Sequence, residues 1–121
     1  MGVYRGLAQD NVTITSGRAK LDFLARSAPA TLKTANFTVA ENETHIICNG
    51  TGSITVTLPS ASLWAGREIY IKTIAAQAVA SASSNVKPIN SNTAGTAILA
   101  GSAGAWALLV SDGTNWVIMA S

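Results

Sequence analysis

Charge is scarce in this chain: Asp, Glu, Lys and Arg make up 12% of its 121 residues, about half of the ~25% usual in globular domains. A surface with so few charges is one that subunit interfaces normally hide, so self-association is expected. There is one cysteine, Cys48, which excludes an intrachain disulfide. In "THIIC" it suits a small buried hydrophobe better than a reactive thiol. There is also one histidine, His45, so any Ser or Cys triad would have to run through it, and no nucleophile motif surrounds it. The six carboxylates are scattered over turns and edges and define no pair for glycoside hydrolysis. "NGTGS" lacks the Lys and following helix of a phosphate loop. Apolar runs of the ~18 residues that cross a membrane are missing, and "MGVYRGLAQD" lacks a signal-type apolar stretch. No catalytic residue, cofactor, metal or membrane partner is therefore assigned, and no enzyme is expected.

What the chain does have is apolar and β-branched residues, with 48% hydrophobic composition. Short strands are predicted at 11–15, 20–25, 31–39, 44–48, 54–58, 67–74, 77–80, 86–89, 97–100, 105–110 and 116–120, many of them bounded by Gly, Pro, Asn or Ser. "REIYIKTI" alternates strictly, with Ile69 and Ile71 opposite Glu68, Tyr70 and Lys72. The end, "LLVSDGTNWVIMAS", reads as a hairpin turning over Asp112 and Gly113, where backbone with φ > 0 is favoured. Both of its arms carry apolar side chains on both faces, so its second face needs a cover. A second hairpin is predicted over the Asn-Gly-Thr-Gly stretch at 49–52. The connector "PSASLWAG" at 59–66 could hold one helical turn carrying Trp64, either plugging a barrel end or exposed for ligand contact. Strands this many and this regular predict an all-β fold, an antiparallel β-sandwich or jelly-roll-like barrel.

Charge is unevenly placed. Residues 1–40 hold Arg5, Arg18, Lys20, Arg26 and Lys33 against Asp10 and Asp22, while the remainder is slightly acidic. Without a run of like charges or interleaved aromatics, nucleic acid is not the expected partner. An extended N-terminal arm (1–36) ahead of a β body (37–121) is expected, with Arg5, Arg18, Lys20 and Arg26 as its docking residues. Glu41, Glu43 and His45 lie two apart, so one face of an extended strand would carry all three. Copies around an axis could then gather imidazoles for an ion.

The stretch "ITVTLPSASLWAGREIYIKTI" resembles a module of structural proteins of tailed bacteriophages, notably the distal parts of tail fibres and related surface proteins. Its pattern is a strand, Leu-Pro, a short connector, Gly-Arg, then a strand ending Ile-Lys. "WALLVSDGTNWVIM" is similar to the closing hairpin of the same module. The likeness spans 37–121 and lapses at "QAVASASSNVKPINSN", where such modules alternate Val and Thr. It implies a virion-surface protein, generally a homotrimer, without an active site. Trp106, Leu108, Trp116 and Ile118 are then expected to pack between copies. Since the chain starts with Met1 and has no room for a fibre shaft, it is expected to be a complete capsid decoration protein, of the cement or head-fibre kind. Its arm would hold the major capsid protein. The alternative is the receptor-binding distal knob of a tail fibre, whose partners are tail components and a host-surface receptor.

Overall fold

The computed structural model describes residues 29–121, which form ten strands and no helix. They are β1 (Thr31–Lys33), β2 (Phe37–Thr38), β3 (His45–Cys48), β4 (Ile54–Thr57), β5 (Glu68–Thr73), β6 (Ala78–Ser81), β7 (Val86–Lys87), β8 (Ala97–Ala100), β9 (Trp106–Ser111) and β10 (Trp116–Ala120). The first two predicted strands, 11–15 and 20–25, lie outside the described residues, as do Arg5, Arg18, Lys20 and Arg26.

The strands build a six-stranded sheet in the order β1-β3-β5-β9-β10-β7 and a four-stranded sheet in the order β2-β4-β6-β8. All-β character and two sheets are as expected; the pairing is not. From β1 to β6 the chain alternates between the sheets, so β1, β3 and β5 stack in parallel in one while β2, β4 and β6 stack in parallel in the other. Antiparallel pairs occur at β6/β8, β5/β9 and β9/β10, and β7 runs parallel to β10. The fold is thus a two-sheet sandwich of mixed pairing rather than an antiparallel jelly roll.

The predicted hairpin at 49–52 is where the expectation fails. Gln77, itself buried, accepts a hydrogen bond from the Gly50 N–H at 2.8 Å and donates to the Gly52 carbonyl. These bonds hold 49–52 as a crossover between sheets, and β3 and β4 never pair. Gly50 is required here because a Cβ would stand 2.7 Å from the Thr34 carbonyl oxygen. The body also begins earlier than the expected boundary at 37. In β1, Thr31, Leu32 and Lys33 pair with Ile46, Ile47 and Cys48, because β-branched and apolar residues at 31–32 complete the sheet edge.

Alternation supplies the core. Ile69, Ile71 and Thr73 point inward from β5, Ile54 and Val56 from β4, and Ala107 and Leu109 from β9, with Trp116 fully buried beside them. Cys48 is buried in this cluster, and desolvation pushes its thiol up to about 11, so it is an inert core residue.

The terminal hairpin forms as predicted, with Trp116 paired to Ser111. Its turn depends on Gly113 at φ 92° and on the Asp112 carboxylate, which accepts from the Thr114 and Asn115 N–H groups at 2.9 and 2.7 Å. Those two bonds, with Lys87 at 3.4 Å, hold the Asp112 carboxyl below its ordinary value.

Candidate functional site

The two sheets differ in what they turn outward. The four-stranded sheet shows Thr38, Thr55, Thr57, Ala78, Ala80 and Ala97, all small. The outward face of the six-stranded sheet carries larger, mostly apolar side chains, and strand register arranges it in three rows. Leu32, Ile47, Lys72 and Trp106 form the first. His45, Tyr70, Leu108 and Ala120 form the second, and Glu68, Val110, Val117 and Lys87 the third. Leu32 is 56% exposed, Trp106 45% and Tyr70 40%, and Met119 at the β10 irregularity reaches 58%. Six strands at ~4.8 Å spacing make a face roughly 25 Å wide. Contiguous apolar surface of this kind marks an interaction site rather than ordinary scatter.

Within the face lies a groove of about 270 Å³ bounded by Ala30, His45, Ile47, Tyr70, Lys72 and Trp106, with almost wholly apolar walls. His45 stacks flat on Tyr70, ring centres 5.2 Å apart and planes within 3°.

The expected trimer-packing residues therefore divide. Trp106 and Leu108 stand on the outward face, but Trp116 and Ile118 are buried within the chain itself and are not available to a neighbour. The reason is the alternation of β10, which turns Val117 outward in their place. Ile47, Tyr70, Val110 and Val117 were not singled out from sequence. The alternation of "EIYIKT" did contain Tyr70, but only pairing shows that it stands beside Leu108 on the outward face.

Glu41, Glu43 and His45 do not converge. Glu41 is held by Arg67 at 2.8 Å, Glu43 by Lys33 at 2.8 Å, and His45 lies against Tyr70. Only His45 belongs to a strand, so the extended geometry needed to align the three is missing. Among the described residues no group of three or more His, Cys, Asp and Glu side chains comes together.

Glu43 is instead structural. Burial pushes its carboxyl up, but hydrogen bonds from Lys33 and the Ala40 N–H outweigh that and leave it below its ordinary 4.5. A carboxyl lowered by folding adds stability that is complete above pH 4.5 and fades as the pH falls through the folded value. Glu43→Gln is expected to cost about 1.5–3 kcal/mol at pH 7. Denaturant titrations of both proteins should show that difference shrinking below pH 4.5.

Trp64 resolves as a plug. It is buried at 5% exposure, meets Trp116 edge-on at 5.9 Å, and carries the Arg67 guanidinium 3.4 Å above its ring. The helical turn expected around it is a single turn, closed by the Trp64 N–H on the Ser60 carbonyl at 3.1 Å. The two stretches that carry the phage resemblance meet at this point. Trp116 Nε1 donates to the Pro59 carbonyl at 2.9 Å, Ser111 Oγ to Ala61 at 2.6 Å, and the Gly66 N–H to Ser111 at 2.9 Å. Leu-Pro, Gly-Arg and Ser-Asp-Gly thus form one cap over the end of the core, so what they encode is architecture.

No family model matches the chain, and neither the curated proteins nor the solved structures yield a match to it.

Proposed function

We propose that this chain is a non-enzymatic structural protein of a bacteriophage particle. In this reading it is a homotrimeric capsid decoration protein that holds the major capsid protein through its basic N-terminal arm. The observation that carries the self-association is the outward face of the six-stranded sheet, where Leu108, Val110 and Val117 form an apolar surface on a core already complete without it. Copies arranged about a closed symmetry axis would bury that surface. The virion assignment draws on the resemblance of 54–74 and 106–119, and the arm assignment on Arg5, Arg18, Lys20 and Arg26.

The tail-fibre knob is the second reading. Leu63, 82% exposed, and Ile89 project from loops and would suit receptor contact.

Sedimentation of the full chain at micromolar concentration is expected to give a species three times 12.4 kDa, and a lone monomer would overturn the trimer. Quantitative mass spectrometry of the purified particle is expected to count hundreds of copies. A few tens would move the protein to the tail, and none would remove it from the virion.

A further inference from the structure

The groove on the outward face is small for a metabolite, below the ~300–1,000 Å³ of typical small-molecule sites. Its walls offer almost no polar atoms to orient a sugar or nucleotide. What such a groove accepts is apolar side chains presented by a polypeptide. One of its walls is Ala30, next to the first residue the structure describes, so the preceding chain leaves directly from the groove's rim.

We propose that the chain's own segment 20–25, "KLDFLA", seats in this groove with Leu21 and Phe23 as anchors. In an extended segment residues 21 and 23 project to one side, which gives two apolar side chains in a row. Reach is sufficient. The five residues 26–30 span up to about 17 Å, whereas β1 to β9 across the groove is three strand spacings, about 14 Å. Tethering through so short a linker gives an effective concentration in the millimolar range, which favours this segment over an apolar loop of another molecule.

The outward face is thereby divided. Its β1-β3-β5 half is covered from within the chain, and Leu108, Val110 and Val117 on the β9-β10 half remain for neighbouring copies. This seating holds whether or not the protein belongs to a virion.

Trp106 is a built-in reporter, because Trp64 and Trp116 are buried and Trp106 stands at the groove. In the full chain, acrylamide quenching of tryptophan emission is expected to be weak. In the full-length double variant Leu21→Ser, Phe23→Ser it is expected to rise several-fold with a red shift, at unchanged sedimentation and unchanged far-ultraviolet circular dichroism. A Trp106→Phe substitution should abolish the rise, which assigns the signal. Strong quenching in both proteins would mean the groove is open. Weak quenching in both that is relieved by dilution would mean a second copy fills it, and weak quenching in both at every dilution would mean another part of the chain does. Each of these three results overturns the seating of 20–25 while leaving the oligomeric state, read from the same samples, as a separate answer.

Discussion

Trp116→Ala is expected to lower the folding free energy by about 3–5 kcal/mol, a large share of the ~5–15 kcal/mol that holds a typical domain. Three losses coincide at this position. The side chain is fully buried, so truncation opens a cavity where β10 meets the connector at 59–66. The edge-on contact between Trp116 and Trp64 at 5.9 Å disappears, and of the two aromatic-ring contacts of Trp64 only that with Arg67 is left. The Pro59 carbonyl loses the indole N–H that satisfies it at 2.9 Å. Trp116→Phe separates these effects, since it keeps much of the packing and removes the donor, and it should cost distinctly less than alanine. Trp106→Ala is the control. It stands outside the closed core, 45% exposed among the described residues, so it should cost much less than Trp116→Ala. Urea titrations of the three variants, each referred to the parent, give the ranking directly.

The same residues show which parts of the structure can be read along the chain and which cannot. Local chemistry was legible. Strict alternation in β5, the glycine at 113 and the Asp112 side chain all act within a few residues of themselves, and the structure has them as the chain predicts. Pairing was not legible. Asn-Gly-Thr-Gly at 49–52 has the composition of a hairpin turn, yet its course is set by Gln77, whose contact with Gly50 spans 27 positions. Nothing within 44–58 announces that partner. The parallel stacking also escapes a search for repeats, because the coils are unequal. Thr31 stands beside Ile46, but Ile46 stands beside Ile71, the second step being lengthened by the connector that carries Trp64.

The candidate face was half legible for a related reason. Apolar residues on both sides of β9 and β10 showed that a second cover is needed, but not which side the chain covers for itself. Trp116 and Trp106 flank the same hairpin and look equivalent in sequence. Arg67, Trp64 and Pro59, brought up by the crossover from β4 to β5, decide that Trp116 faces in and Trp106 out. An aromatic residue on a strand declares a need for contact; the fold decides whether its own chain or another supplies it.

Gln77→Leu is expected to destabilise the protein by about 1–3 kcal/mol, because two backbone groups at the crossover lose their partner together, Gly50 being half-buried and Gly52 open to water. The Gly50 N–H and the Gly52 carbonyl are the groups concerned, and Thr73 Oγ1, 3.3 Å from the same amide, loses a neighbour as well. Leucine fits the volume, so the deficit measures hydrogen bonding rather than a cavity. Gln77→Glu makes the prediction sharper. A carboxylate there still accepts from Gly50 but faces the Gly52 carbonyl oxygen with a second acceptor, at a position whose side chain is buried. Burial and that opposed oxygen both disfavour the charged form, so the folded-state value of the new carboxyl rises above its unfolded one. The folded state then holds its proton more tightly, and stability relative to the parent recovers as the pH falls through the raised value, when the protonated acid donates to Gly52 as the amide did. Parent and Gln77→Glu should therefore differ most at neutral pH and converge in acid, whereas Gln77→Leu should keep a constant deficit across the range. Urea titrations of all three between pH 4 and 8 test both slopes, and a Gln77→Glu deficit that does not change with pH would show that the crossover is not held by this side chain.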